Sequence, residues 1–256
     1  MGKRIVTALI IIACVIPPLL FGGIWNDFLI GIIILIGGYE MMELLPSYKT
    51  TPKIVFLILL IITFGMLFID EKFNLIILGL LVLCMMALPV FTEKINSRDA
   101  IMVSGILILL YTFAKAYLTI YDMNPLYIWF IIIATYACDT GAYFTGYFFG
   151  KRKLCERISP KKTIEGSIGG ILFSWILSSL FILFFFKDAN MMLVFIGGIL
   201  MPFVSQIGDL SFSAIKRLYH IKDFSNIFPG HGGFMDRLDS LVYDLVIFYA
   251  LMVVLL

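Results

Sequence analysis

Nine stretches of this chain, at about residues 5–22, 27–45, 53–69, 73–91, 101–120, 125–149, 167–186, 190–212 and 240–256, are mostly apolar and close to the length of a membrane-crossing helix. The hydrocarbon core of a bilayer is spanned by about 20 helical residues, and every backbone polar group within it must be satisfied inside the protein. The fold expected is therefore all-α and polytopic, with about nine transmembrane helices. Composition agrees, because 61% of the 256 residues are hydrophobic and only 14% are charged. The mean hydropathy of +1.04 implies more apolar surface than a single soluble core could enclose. The opening segment, MGKRIVTALIIIACVIPPLLF, has the basic start and apolar run of a signal peptide but no small-residue cleavage site after it, so a retained first span is expected. Cys14, Cys84, Cys138 and Cys155 make no C-x-x-C pair and fall mostly in apolar runs, which reads as reduced structural thiols rather than a disulfide framework or zinc site. A net charge of +2 gives no basis for nucleic-acid binding.

The distribution of charge says more than its sum. With the N-terminus on the cytoplasmic side, the inner connections collect Lys3, Arg4, Lys49, Lys53, Lys94, Arg98, the six bases of the 151–162 loop, Lys216, Arg217, Lys222 and Arg237, or 16 of the 19 Lys and Arg. Only Lys72 and Lys187 fall outside, and Lys115 lies within the fifth run. Positive charge retained on the inner side is the usual orientation rule for multi-span proteins. It puts the N-terminus inside and also sets the acids. Glu43, Asp139 and Asp209 lie in the later, cytoplasmic parts of the second, sixth and eighth runs, and Asp236 and Asp239 enter the ninth from that side.

Carboxylates in spanning segments cost about 2.5 kcal/mol or more unless paired, hydrated or bound to a cation. Glu40 and Glu43, near a helix end, read equally well as simple partners of a Lys or Arg. Asp139 in YACDTGAYFTGYFFG and Asp209 in SQIGDLSFS are flanked by glycines, which favours a functional role. The densest polar stretch is KRLYHIKDFSNIFPGHGGFMDRLDS, residues 216–240. Asp236 and Asp239 are three apart, one helix face if a helix begins there, and two hard oxygen donors suit Mg²⁺ held together with substrate phosphates. Acids enriched at a helix start to complement its dipole are the simpler alternative. In FPGHGG, Pro229 stops one element while Gly230, Gly232 and Gly233 let the backbone approach a ligand and offer amides to phosphate; His231 could add a donor. In the 151–166 loop, Ser159 as N-cap and Pro160 as first helical residue would put Lys161 and Lys162 at a helix start, where a phosphate is well received.

The residues SAIKRLYHIKDFSNIFPGHGGFMDRLD, Ser213 to Asp239, resemble the C-terminal signature of the phosphatidate cytidylyltransferases, also called CDP-diacylglycerol synthases. The pattern is Ser, Lys-Arg, Lys-Asp four residues on, Pro-x-His-Gly-Gly and Asp-Arg-x-Asp, and each fixed position is filled. DTGAYFTGYFFGK, SPKKTIEGSIGG and Gly208–Leu210 are similar to that family too, so the likeness covers about residues 136–256. It departs at Phe212, where many members carry a Glu. The resemblance implies a multi-pass cell-membrane enzyme with its active site on the cytoplasmic side, making CDP-diacylglycerol and pyrophosphate from CTP and phosphatidate, as a homodimer. Mg²⁺ is the implied cofactor, with a second cation left open. In that reading Asp209, Asp236 and Asp239 hold the metal and, with Lys222, form the catalytic set. Asp139, Lys161, Lys162, Ser213, Lys216, Arg217, Asp223, His231, Gly232, Gly233 and Arg237 meet the substrates. Residues 1–120 then form about five N-terminal spans, and 121–256 the catalytic region with cytoplasmic loops 150–166 and 213–239.

An ion-coupled secondary transporter is the alternative, since broken helices with buried acids bind ions. It would place its acids near the midplane and show an internal repeat, whereas these acids gather on one side and no repeat is visible. A CDP-alcohol phosphotransferase would carry Asp-x-x-Asp-Gly-x-x-Ala-Arg, which is absent. A cysteine placed in the 151–162 loop should be labelled by an impermeant maleimide only from the cytoplasmic side, and one beside Lys187 only from outside. Reversed labelling contradicts the orientation.

Overall fold

The computed structural model describes residues 2–228 and 232–256, with side chains described from residue 11 onward. Every one of the nine apolar runs forms helix. In chain order the helices are α1 (Gly2–Phe21), α2 (Ile24–Ile32), α3 (Gly38–Glu43), α4 (Pro46–Thr50), α5 (Lys53–Gly65), α6 (Glu71–Phe91), α7 (Ser97–Met123), α8 (Pro125–Phe149), α9 (Ile164–Phe185), α10 (Met191–Leu218) and α11 (Asp239–Leu255). A π-helical turn, Ile33–Gly37, makes α2 and α3 one continuous rod, Ile24–Glu43. Among the described residues, this rod and α6, α7, α8, α9 and α10 are long and apolar enough to cross a membrane. Ile11–Phe21 and Lys53–Phe68 are shorter apolar helices, and α11 has 17 residues. Only 11% of the apolar window of α6 is buried, so among the described residues little covers its hydrophobic surface, which is suited to lipid.

The all-α expectation needs one addition, a small antiparallel hairpin. Strand β1 (Lys153–Cys155) pairs with β2 (Ser159–Thr163), Lys153 opposite Thr163 and Cys155 opposite Ser159. Ser159 is therefore not an N-cap, and Lys161 and Lys162 lie in a strand rather than at a helix start. The helix starts four residues later, with Thr163 as its cap. Its hydroxyl accepts the Gly166 N–H at 3.1 Å, and Glu165 Oε2 accepts the N–H groups of Lys151 and Arg152 at 3.0 and 3.1 Å, tying the hairpin to the first turn of α9.

The chain forms two compact units, Met1–Lys115 with Asp223–Met235, and Ala116–Lys222 with Asp236–Leu256. In the first, Asp99 is buried and its Oδ2 accepts the Ser47 N–H at 2.7 Å, fixing α4 against the start of α7. In the second, α8 and α9 approach almost backbone to backbone. Ser174 Oγ donates to the Ala134 carbonyl at 2.7 Å, and a Cβ on Gly170 would lie 2.7 Å from the Cys138 carbonyl oxygen. Small residues permit such approach, which supplies dispersion contact where lipid removes the hydrophobic drive. On the other side, Gly197 and Gly208 of α10 admit Phe248 and Tyr243 of α11. Tyr127 and Phe130 pack on Phe248 with ring centroids 5.5 and 5.9 Å away, and Phe186 packs on Tyr127 at 4.7 Å, filling the core at one end.

Gly170→Ala should lower the melting temperature in detergent, at a cost of about 1–3 kcal/mol, because a backbone oxygen cannot move aside. Gly105→Ala, with nothing within 4 Å of the new Cβ, should be neutral or mildly stabilising. Equal melting temperatures would contradict the close approach.

Candidate functional site

Helix α10 carries Asp209, Ser213, Lys216 and Arg217 in its last three turns, a spacing that puts the first three on one side. Asn190 caps the helix start by accepting the Leu193 N–H at 3.0 Å. The charged groups on this helix end have partners from other parts of the same unit, while Ser213 bonds within the helix. Asp209 Oδ2 is ion-paired with Lys162 of β2, while its Oδ1 accepts from Ser213 Oγ at 3.3 Å. Lys216 Nζ is 2.6 Å from Asp236 Oδ1. Arg217 donates to the carbonyls of Ile158 at 3.3 Å and Ile221 at 2.7 Å, bracing the hairpin and the helix end.

The two ion pairs differ in exposure, and that decides what each can do. The side chains of Lys216 and Asp236 are 9% and 4% exposed, so their attraction is weakly screened and the pair is the more firmly held of the two. Those of Lys162 and Asp209 are 28% and 25% exposed, within reach of a ligand that could exchange for either partner. Asp139, Asp209 and Asp239 repel one another, and the bases Lys162, Lys216 and Arg237 act on them with opposite sign. One unit thus gathers acids and bases in a single network, with Asp139 and Asp209 two to three turns inside the ends of α8 and α10 and Asp239 at the start of α11.

Asp236 and Asp239 do not share one helix face. Asp236 sits in a 3₁₀ turn, Met235–Arg237, and Asp239 is the first residue of α11, where its Oδ1 accepts its neighbour Ser240's N–H at 2.8 Å. Arg237 is exposed and its carbonyl receives the Tyr136 hydroxyl at 3.3 Å. Lys161 and Lys222 are exposed. Phe212, in place of a Glu, is 1% exposed and packs edge-on against Tyr243, so that position is core.

The remaining expected residues lie in the other unit, where Asp223 is exposed and Gly232 has a positive φ of 87°. His231, with Pro229 and Gly230, lies outside the described residues. Glu40, read at first as an acid seeking a Lys or Arg, instead accepts from the Ser225 hydroxyl and from the N–H groups of Phe234 and Met235 at 2.8 Å each. Its partners lie about 190 residues away, which no local pattern could reveal.

Among the described residues no three of His, Cys, Asp and Glu are close enough to hold a metal unaided. Mg²⁺ commonly uses only one or two carboxylates, completing its shell with water and substrate phosphates. The mutual repulsion of Asp209 and Asp239 fits such a cation, which would relieve it. Asp236 is less free to contribute, being paired with Lys216 in the core.

The model of the cytidylyltransferase family matches residues 2–255. The chain belongs to the cytidylyltransferase family. Within it, this cytidylyltransferase-family chain is 40% identical over 126 residues to the phosphatidate cytidylyltransferase of Bacillus subtilis, covering 49% of this chain and 47% of that protein. It is 42% identical over 116 residues to that of Haemophilus influenzae, 44% and 40% of the two chains, and 39% identical over 131 residues to that of Aquifex aeolicus, 51% and 49%. The matched stretch thus spans about half the length of these relatives, or less. Lys216→Met should strand the Asp236 charge in the core without its lysine and cost about 3–5 kcal/mol. Lys162→Met, at the more exposed pair, should cost about 1 kcal/mol or less. Thermal melts of the purified family member would separate the two, and equal losses would contradict the ranking by burial.

Proposed function

We propose that this chain transfers CMP from CTP to phosphatidate, giving CDP-diacylglycerol and pyrophosphate for phospholipid biosynthesis. The observation that carries the reading is the network of Lys162, Lys216 and Arg237 with Asp139, Asp209 and Asp239, carboxylates set on apolar helices, in a chain of the cytidylyltransferase family. The names of the relatives supply the lipid and the nucleotide as candidates.

Both substrates are anionic, so their approach is opposed until positive charge offsets it. In this reading the phosphate of phosphatidate attacks the α-phosphorus of CTP, and pyrophosphate leaves with the bridging oxygen. Lys161 and Lys162 on the hairpin, Lys216 and Arg217 on α10, and Lys222 and Arg237 neutralise phosphate oxygens as charge builds on the leaving group. Lys162 exchanges Asp209 for a phosphate, freeing the carboxylate. Ser213 orients Asp209 through its hydroxyl. Asp139 meets the substrates on α8, and Asp223, His231, Gly232 and Gly233 do so from the glycine loop. Asp209, Asp239 and, to the extent that Lys216 releases it, Asp236 would hold Mg²⁺. When bound, the ion supplies Lewis-acid stabilisation of phosphate oxygens. The proposal extends to nine spans with the N-terminus in the cytoplasm and residues 121–256 as the catalytic region. It includes a site on the cytoplasmic side of the cell membrane, open to CTP from water and lipid from the leaflet, and a homodimeric assembly.

Purified protein given CTP, phosphatidate and Mg²⁺ should release pyrophosphate, whereas ATP should not replace CTP and diacylglycerol, lacking the attacking phosphate, should not replace phosphatidate. Asp209→Asn and Asp239→Asn should each lower turnover by at least roughly a hundredfold, the scale for loss of one electrostatic stabiliser. Turnover with diacylglycerol equal to that with phosphatidate overturns the reading.

A further inference from the structure

Helix α11 carries a second acid, Asp244, beyond Asp239 and wholly buried. Its Oδ2 accepts the Thr135 hydroxyl of α8 at 2.6 Å. That hydroxyl also lies 2.9 Å from the Ile131 carbonyl of its own helix, so it keeps a partner if Asp244 is replaced. Asp139 acts on the Asp244 carboxylate with like charge, and the Ser205 hydroxyl of α10 acts on it from a third helix without closing a hydrogen bond. Among the described residues no ion pair includes Asp244, in contrast to Asp209 and Asp236. An acid inside an apolar bundle with no base to answer it detracts from stability, and such acids are retained for what they do.

Its place in the fold points the same way. Thr135 precedes Asp139 by four residues and Asp244 follows Asp239 by five. The bond between them therefore lies about 6–7.5 Å, some one turn, further into the bundle than those acids. Ser205 precedes Asp209 by four residues, on the same side of α10. At the outer level the start of α11 is already held on two sides. The Tyr136 hydroxyl donates to the Arg237 carbonyl at 3.3 Å, and a Cβ on Gly208 would lie 3.0 Å from the Asp239 carbonyl oxygen. A helix held at one level can still pivot, whereas a second anchor one turn deeper fixes its direction. Asp244 Oδ1 and the Ser205 and Ser240 hydroxyls are buried and make no hydrogen bond. Packing alone gives no reason to keep them, because an unpaired buried polar atom costs stability.

We propose that Asp244 is a positioning residue for the acids of the candidate site. Through Thr135 it fixes the direction of α11 against α8, and with it the separation at which Asp139, Asp209 and Asp239 stand to receive a divalent cation. The cation clause rests on the function proposed above. Carboxylates that share a cation must stand at a set distance before it binds, and side chains locked from behind by a buried hydrogen bond supply that precision.

Three variants separate the bond from the charge. Asp244→Asn removes the charge but keeps an oxygen for the Thr135 hydroxyl, whereas Asp244→Ala and the near-isosteric Thr135→Val remove the bond. Mn²⁺, standing in for Mg²⁺, is titrated into the purified protein without CTP or lipid, and the free ion is read by electron paramagnetic resonance. Asp244→Ala and Thr135→Val should weaken Mn²⁺ binding at least tenfold, and Asp244→Asn should stay within threefold of wild type. The Mg²⁺ concentration for half-maximal turnover should follow the same order. Thr135→Val, which leaves the acid in place, decides the matter if Asp244→Ala folds poorly. A lowered melting temperature with Mn²⁺ binding unchanged makes the bond merely structural and overturns the positioning role. Asp244→Asn as impaired as Asp244→Ala assigns the effect to charge and overturns the anchoring through Thr135. A wild type that shows this Mn²⁺ pattern but makes no product from CTP overturns the function and upholds the positioning; one that binds no Mn²⁺ overturns the positioning.

Discussion

Charge in an apolar helix bundle is tolerated only when it is answered nearby, and the arrangement of residues 116–222 and 236–256 follows from that constraint. Lys216 and Asp236 meet 2.6 Å apart with almost no access to solvent. Either one alone would be an uncompensated charge in the core. Together they bind the end of α10 to the turn that starts α11, and so determine where Asp209 and Asp239 come to lie. The more exposed pair, Lys162 with Asp209, is compensated in the resting protein but open to exchange. In the proposed function a nucleotide would bring both phosphate oxygens for the lysine and a cation for the carboxylate, replacing the pair without leaving either charge unanswered.

Close helix packing makes this possible. The α8–α9 approach at Gly170 and Ser174 needs no bulky side chain, and it leaves the hairpin that follows α8 anchored by Glu165 and Thr163. Lys162 is carried by that hairpin. The position of Lys162 thus depends on carbonyl and hydroxyl contacts several turns away.

Helix existence was legible in the sequence, because nine long apolar runs admit almost nothing else; the Asp209–Ser213–Lys216 face was not, since the eighth run ends at about residue 212 with a loop expected from 213, whereas α10 continues to Leu218. Nor was the hairpin legible. Ser159-Pro160 carries the signals of an N-cap and first helical residue, and Thr163 carries a cap signal as well; the choice is made by Glu165 reaching the amides of Lys151 and Arg152, which local spacing does not encode. In a two-stranded hairpin Pro160 can occupy an edge without losing a ladder bond. Nor could the spacing of Asp236 and Asp239 show that one pairs with Lys216 in a 3₁₀ turn and the other opens α11. Glu40 looked like an acid at a helix end because its partners lie in a distant segment.

The central claim is that this charged network supports nucleotidyl transfer to a lipid phosphate. The most direct test follows the phosphorus atoms. Purified protein is given phosphatidate and Mg²⁺ with CTP labelled either at the α- or at the γ-phosphate, and label is measured in the lipid phase. The account predicts that α-label enters the lipid and that γ-label stays in the aqueous phase as pyrophosphate. Transfer of γ-label to lipid, or of neither, would contradict it.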